Sequence, residues 1–273
     1  MNLIKLLENL SNEELLNKKG SRRDSFKHFK NTGRNIALAS IPFGLAATSS
    51  KSSAATMSMA ATAFQASPTE VLNFALTLEY LERNFYQIGM DTNGLIPEAD
   101  RAVIAQILKH EVSHVDFLAA ALGDDAIDEP TFDFTGGDLN LDTFSNYQTF
   151  LALSQGFEDT GVRAYKGQAG ALANDNTLLE YALQIHSVEA RHASQVRRMR
   201  AEKGWITRSE TTIPAAFNSI YGGATPESNT TQGGVNLAGM FADFGGDAAV
   251  TEAFDEPLTM GEVNAIASIF IVS

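Results

Sequence analysis

Four long segments of the chain carry apolar residues at helical spacing and contain no internal proline. These segments are Thr69–Met90, Glu98–Leu122, Leu141–Leu172 and Asn176–Lys203. A helix of about 20 residues is about 30 Å long, because each residue adds about 1.5 Å, and this is the length of the helices in a typical bundle. The pattern therefore predicts an all-α fold built on a four-helix bundle.

The connections between these segments differ in length. Only a few residues join the first segment to the second and the third to the fourth, and such short loops make the joined helices antiparallel neighbours. Residues 123–140 separate the second segment from the third, and an extended chain covers about 3.3 Å per residue. This connection can run the whole length of the bundle, so we predict one long crossover between the second and third helices.

The composition changes after Gly204, where Gly, Thr, Asn and Ser become frequent. Pairs of glycines interrupt any long helical period, so residues 204–273 are predicted to form an irregular extension. Near its end, Thr259 and Glu262 stand at the spacing of a capping box. We therefore expect a terminal helix over Thr259–Ile271, with its apolar face packed on the bundle of residues 68–203.

The amino terminus resembles a twin-arginine export signal. Arg22-Arg23 precedes a mildly apolar run, Ile36–Ala47, and then the small residues Ser52–Ala55. The apolar run is too short to span a bilayer, so no stable membrane insertion is expected after export. Residues 1–55 are thus predicted to be a cleaved signal, and the mature protein to be periplasmic or otherwise exported. The alternative is a retained amphipathic helix over Leu3–Leu16, followed by a solvated basic turn.

Composition and charge narrow the kinds of ligand that the protein can bind. The chain has no cysteine, which excludes disulfides, iron–sulfur clusters and thiolate metal sites, so carboxylate and imidazole groups must hold any metal. Iron, manganese and zinc suit such ligands. Residues 1–55 hold nine Lys/Arg and four Asp/Glu, which leaves 11 basic and 29 acidic residues in the body. We expect such an acidic body to bind neither nucleic acid nor anionic membranes.

The strongest chemical signal is a pair of Glu-x-x-His sequences inside two of the predicted helices. Glu111 and His114 form the first, and Glu189 and His192 form the second. Residues three apart lie on one face of a helix, so each sequence can present a carboxylate and an imidazole to the same ion. The carboxylate can also bridge to a second ion.

An internal repeat strengthens this signal. Glu79 and Tyr86 open one unit, and Glu158 and Tyr165 open the other, and in each the tyrosine stands seven positions after the glutamate. The first glutamate precedes the glutamate of the Glu-x-x-His sequence by 32 residues in one unit and by 31 in the other. Packing the four helices together predicts a two-metal site with six ligands. These ligands are Glu79, Glu111, His114, Glu158, Glu189 and His192.

The two tyrosines are candidates for a part in catalysis. Seven residues are close to two helical turns, so Tyr86 and Tyr165 lie on the same stripes as the glutamates before them. Each hydroxyl could then sit beside the metal and donate a hydrogen bond or an electron. The alternative is that both are core tyrosines with satisfied hydroxyls.

The segment Leu78-Glu79-Tyr80-Leu81-Glu82, the pair Phe85-Tyr86 and both Glu-x-x-His sequences resemble the ferritin-like superfamily. The resemblance is to its exported single-domain branch in particular, which includes proteins called desiccation-related, and it covers residues 68–203. It implies a ferritin-like four-helix bundle with a carboxylate-bridged pair of iron or manganese ions that reacts with dioxygen or hydrogen peroxide. It implies nothing for the extension after Gly204.

Two functional hypotheses follow. The first is an oxidoreductase of the ferroxidase or peroxidase kind, in which two iron ions react with dioxygen or hydrogen peroxide. A manganese pair with catalase-like activity is its nearest variant. The second is a non-enzymatic exported protein, active in stress protection or assembly, with a structural or vacant metal site. Assembly into a homo-oligomer is left open.

Several other ionisable residues near the six candidate ligands are not included in the predicted ligand set. Glu82 lies one turn from Glu79 and is the alternative ligand, either in place of Glu79 or beside it. His186 is expected to be a satisfied or solvent-exposed histidine, and His110 is left out of the site because it projects about 100° away from Glu111 on the helix. Four acidic residues of the long connection are expected to form a solvated loop rather than a calcium site. They are Asp124, Asp125, Asp128 and Asp133.

Overall fold

The structure is a computed structural model and describes residues 66–272. Its main elements are four long helices: α1 (Pro68–Asp91), α2 (Glu98–Leu122), α3 (Tyr147–Gln168) and α4 (Asn176–Met199). α1 packs against α2 and α3 packs against α4, with a further contact between α1 and α3. The predicted all-α four-helix bundle is confirmed. The export signal predicted for residues 1–55 lies outside the described residues and stays a prediction.

Side-chain caps start three of the four helices. Ser67 Oγ accepts the backbone N–H of Glu70 at 3.2 Å, and the Glu70 carboxylate accepts the N–H of Ser67 at 2.7 Å, which completes a capping box ahead of Pro68. Asn146 caps α3 and Asp175 caps α4, and each accepts two backbone N–H groups.

The third helix is shorter than the predicted Leu141–Leu172. The backbone N–H of Asn146 bonds to the carbonyl of Asp142 at 3.0 Å in a turn, and the Asn146 side chain then caps a helix that begins at Tyr147. Leu141 and Phe144 pack on the core from this non-helical segment. Their apolar spacing therefore continues the helical pattern although the backbone does not.

The connection between α2 and α3, residues 123–146, also binds the carboxyl-terminal end of the described chain. Gly123, with a φ of 57°, ends α2 in a conformation that favours glycine. The N–H of Asp133 bonds to the carbonyl of Phe270 at 2.8 Å. The Phe134 ring packs edge-on against Phe85, with 5.5 Å between ring centroids. The predicted crossover is thus an ordered part of the core.

The extension after α4 folds onto the bundle in short pieces. These are two 3₁₀ helices (Ala215–Tyr221 and Ala242–Phe244), a hairpin of β1 (Thr231–Gln232) and β2 (Val235–Asn236), and the helices α5 (Gly246–Thr251) and α6 (Met260–Ala267). The predicted capping box of Thr259 and Glu262 starts α6, which packs against α3. α6 ends four residues before the predicted Ile271, and Phe270 beyond it is buried in the main core.

A buried arginine joins the extension to α3. Arg163 has no exposed surface, and its guanidinium donates hydrogen bonds to the carbonyls of Glu256 at 2.8 Å, Thr225 at 2.7 Å and Gly222 at 3.1 Å. It also pairs with the buried carboxylate of Glu227 at 2.8 Å. A buried charge needs such partners, so the extension is an integral part of this fold.

Among residues 66–272, no helix combines the length and the apolar composition needed to cross a membrane.

Candidate metal centre

The six predicted ligands all lie in the interior of the bundle, and each of the four long helices contributes to them. The four glutamates have no exposed surface, and the two histidines are buried. α1 supplies Glu79, α2 supplies Glu111 and His114, α3 supplies Glu158, and α4 supplies Glu189 and His192. Buried carboxylates are costly unless they are paired or bound to a cation, so this concentration calls for a ligand.

These residues form two clusters that share two glutamates. Within each cluster, one ligand atom from every residue lies within 4.8 Å of those of the others. The first cluster is Glu79, Glu111, His114 and Glu189, and the second is Glu111, Glu158, Glu189 and His192. Glu111 and Glu189 belong to both clusters. These two glutamates would therefore be the ones shared by two ions, if the centre held a metal pair.

Both imidazoles turn the same ring nitrogen toward the carboxylates. His114 Nδ1 lies 3.1 Å from Glu79 Oε2 and 3.1 Å from Glu111 Oε2. His192 Nδ1 lies 2.9 Å from Glu111 Oε1 and 3.2 Å from Glu158 Oε2. The two Nδ1 atoms thus mark the two halves of one centre.

Several buried atoms of these clusters lack hydrogen-bond partners within residues 66–272. They are Glu111 Oε1, Glu158 Oε2, both carboxylate oxygens of Glu189, and His192 Nδ1. Leaving a buried polar atom unsatisfied costs about 1–3 kcal/mol, and these atoms lie close together without meeting in hydrogen-bond geometry. Metal ions would satisfy them, and a set of carboxylates and imidazoles suits iron and manganese. The residues present therefore fit a pair of metal ions.

The pKa shifts of the metal-free centre also indicate a site for cations. Burial raises the pKa of Glu111 to about 7, and burial together with repulsion from Glu111 and Glu79 raises the pKa of Glu189 well above its ordinary value. Burial opposes charge on His192, but attraction to Glu158 and to the Glu111 carboxylate 2.9 Å away outweighs it and raises the pKa of that imidazole to about 11. Without cations, the centre therefore holds protons in their place.

The two predicted tyrosines each bond to the glutamate of the other repeat unit. Tyr86 on α1 donates a hydrogen bond to Glu158 on α3, and its hydroxyl lies 2.5 Å from Ser154 Oγ. Tyr165 on α3 donates to Glu79 on α1 at 2.5 Å. Burial first, and then repulsion by these carboxylates, raises the pKa of both hydroxyls well above the ordinary value, which keeps them protonated. Each tyrosine can therefore orient one ligand carboxylate.

Glu82 is a fifth buried glutamate at this centre. A Cβ atom at Gly161 on α3 would lie 3.4 Å from Glu82 Oε1 and 3.3 Å from Glu189 Oε2, so both carboxylates border the space that this glycine leaves open. Burial, then repulsion from Glu189, raises the pKa of Glu82 well above its ordinary value. Glu82 faces the centre rather than solvent, although it belongs to neither ligand cluster.

The structure changes the roles expected for two other histidines. His110 belongs to neither ligand cluster, as expected, but its ring is not turned away from the site, because its Nδ1 lies 2.8 Å from His192 Nε2 across the interface of α2 and α4. His186 is half-buried, belongs to neither cluster, and its Nδ1 has no hydrogen-bond partner among the described residues. His186 thus lies outside both ligand clusters, but it is neither solvent-exposed nor fully satisfied among the described residues, as had been expected of it.

Comparison with known proteins adds one finding to this geometry. Residues 67–202 match the family described as "Ferritin-like domain". The curated proteins contain no match to this chain. The matched segment spans α1 to α4, the four helices that hold the buried Glu/His clusters typical of a two-metal site. Residues 67–202 of this chain therefore form a ferritin-like domain.

Proposed function

We propose that this protein is a di-iron carboxylate oxidoreductase of the ferroxidase or peroxidase kind. The observation that carries the proposal is that Glu111 and Glu189 belong to both ligand clusters. When bound, an iron pair would supply two electrons, which together with two protons reduce dioxygen to hydrogen peroxide or reduce hydrogen peroxide to two water molecules. Dioxygen or hydrogen peroxide is accordingly the proposed oxidant.

The protein's own residues position and shield the reacting groups. Hydrogen bonds from Tyr86 to Glu158 and from Tyr165 to Glu79 fix two carboxylates from opposite helices. The bundle buries the ligand set, which limits access to small molecules and strengthens electrostatic interactions inside. Manganese suits the same ligands, so a manganese pair that dismutes peroxide is the variant of this proposal.

We also propose that the protein is exported and that it belongs to the exported, desiccation-related branch of the ferritin-like superfamily. The sequence Arg22-Arg23, followed by an apolar run and small residues, supports export. In cell fractionation, the parent chain should be recovered outside the cytoplasm in shortened form. A variant with both arginines replaced by lysine should stay inside at full length, and export of that variant would count against this route.

The test of the proposed reaction is anaerobic reconstitution with Fe(II), followed by metal analysis and exposure to oxidant. The parent is compared with the double variant Glu111→Ala/Glu189→Ala. Because Glu98 and Glu180 are exposed glutamates on the same two helices, the matched control is Glu98→Ala/Glu180→Ala.

We expect two iron ions per chain in the parent and the control, with rapid oxidation, and little iron in the centre variant. A folded parent that takes up no iron contradicts the proposal. A parent that binds iron and gains thermal stability without reacting supports the non-enzymatic alternative instead, because a ligand that binds only the native state stabilises it by mass action.

A further inference from the structure

A chain of hydrogen bonds links one imidazole of the centre to the protein surface. His192 Nε2 on α4 lies 2.8 Å from His110 Nδ1 on α2. The other ring nitrogen of His110, Nε2, lies 2.6 Å from the side-chain amide nitrogen of Gln106, one turn earlier on α2. His192 is buried, His110 is half-buried and Gln106 is exposed, so the chain runs from the centre to solvent.

The direction of these hydrogen bonds follows from the position of His192. Its Nδ1 faces Glu111 and Glu158, so binding an ion there requires a lone pair on Nδ1 and places the proton of the neutral ring on Nε2. His192 Nε2 then donates to His110 Nδ1. His110 then carries its own proton on Nε2, and Gln106 accepts it once its amide is flipped by 180°, so that Oε1 takes the place of the nitrogen that now faces the ring.

Among residues 66–272, the second imidazole of the centre, His114, has no partner equivalent to His110. In the internal repeat, Glu111 corresponds to Glu189, so the position equivalent to His110 is Val188, whose side chain has no polar atom. Within the described part of the chain, the hydrogen bonds of His114 are made by Nδ1. The two repeat units therefore carry matching candidate ligands but differ at the residue before the Glu-x-x-His glutamate, which is His110 in one unit and Val188 in the other.

We propose that His110 is a positioning residue that holds His192 in its metal-binding tautomer and makes the ion position beside His192 bind more tightly than the position beside His114. A hydrogen-bond partner on the outer nitrogen orients a ligating imidazole and raises its basicity, and losing one typically costs 10- to 100-fold in metal affinity. The proposal rests on the metal pair proposed above but not on the reaction of that pair with an oxidant.

The test is an anaerobic titration with Co(II), whose visible absorption reports each ion as it binds. The parent is compared with His110→Leu, which removes the acceptor, and with His110→Asn, whose amide oxygen can accept the same hydrogen bond. Lys109→Leu is the control for a change at an exposed neighbouring position on α2. Circular dichroism of the metal-free proteins checks folding, and ¹⁵N NMR of the zinc-loaded protein reports the protonated nitrogen of His192.

We expect two unequal binding steps in the parent and in Lys109→Leu. In His110→Leu the tighter step should weaken about 10- to 100-fold while the other step stays unchanged, and His110→Asn should recover most of the loss. Should the leucine variant fail to fold, a His192 protonated on Nδ1 in the parent NMR spectrum would still overturn the proposal.

Three other results would also overturn the proposal. They are an equal loss of affinity in both binding steps of His110→Leu, a His110→Leu variant whose Co(II) affinities equal those of the parent, and a His110→Asn variant that binds as weakly as His110→Leu. The parent could instead bind two Co(II) ions in unequal steps while its iron form does not react with dioxygen or hydrogen peroxide. That result would contradict the proposed reaction but not the proposed role of His110.

Discussion

The hydroxyl of Tyr165 on α3 donates a 2.5 Å hydrogen bond to Oε1 of Glu79 on α1. The reciprocal bond runs from Tyr86 on α1 to Glu158 on α3. Each repeat unit therefore supplies a ligand glutamate and also the hydroxyl that orients its partner's glutamate. The position of the glutamate in each half of the centre therefore depends on a tyrosine of the other half. The sequence spacing alone does not predict this relationship.

Replacing Tyr165 with phenylalanine should loosen Glu79 without emptying the centre. The carboxylate loses one donor but keeps His114 as a neighbour, so we expect the affinity for the ion beside His114 to fall about tenfold. The same change at Tyr86 should act through Glu158, on the ion beside His192. Stepwise metal titration of the two variants checks this. If both variants weaken the same step, the reciprocal arrangement is wrong.

The roles of Glu79 and Glu82 can be separated by one pair of variants. Glu79 belongs to a ligand cluster and Glu82 does not, although both are buried. We expect Glu79→Gln to lose about one of two bound ions and Glu82→Gln to keep both, because the uncharged amide resembles the protonated carboxyl favoured at Glu82. Metal analysis after reconstitution checks this. The opposite result would make Glu82 the ligand.

Metal uptake should release protons. Because the pKa of His192 is raised to about 11 in the metal-free centre, this ring is protonated at pH 7 and must become neutral to bind an ion. Each proton released makes the apparent affinity rise about tenfold per pH unit, so binding should tighten from pH 6 to pH 8. Calorimetric titration in buffers of different ionisation enthalpy counts the protons, and uptake without proton release would contradict the assignment of His192.

Removing Arg163 should destabilise the fold through the extension. Arg163→Met leaves the Glu227 carboxylate buried without its cation, and breaking a buried pair in this way costs about 3–5 kcal/mol. Denaturant unfolding measures the loss, and Arg198→Met, at an exposed arginine of α4, is the control. Adding Glu227→Gln should recover part of the loss. A cost no larger than that of the control would show that the extension is not held by this residue.

The sequence predicts the bundle and the ligand set better than it predicts their surroundings. Glu98–Leu122 is predicted and observed with the same bounds, because a proline precedes it and a glycine follows it. The six candidate ligands are predicted from spacing, since Glu-x-x-His and the repeat are local along each helix. Their meeting in two clusters agrees with that prediction, while metal binding itself stays a prediction.

Contacts between residues of different helices could not be predicted from spacing along one helix. His110 reaches His192 because of the register between α2 and α4, which no spacing within one helix specifies. Glu82 is buried because α3 presents Gly161 opposite it, again a tertiary relationship. Arg163 bonds mainly to backbone carbonyls of the extension, and these carry no residue-specific signal. The sequence therefore shows each of these residues, but it does not show which distant residue each one contacts.

The most direct test of the central claim is anomalous X-ray diffraction from crystals reconstituted with iron, recorded at the iron absorption edge. The account predicts two peaks about 3.5–4 Å apart, with the carboxylates of Glu111 and Glu189 between them. One peak should lie beside His114 and the other beside His192. A single peak, peaks away from these carboxylates, or none in crystals soaked with Fe(II) would contradict a bridged metal pair in this bundle.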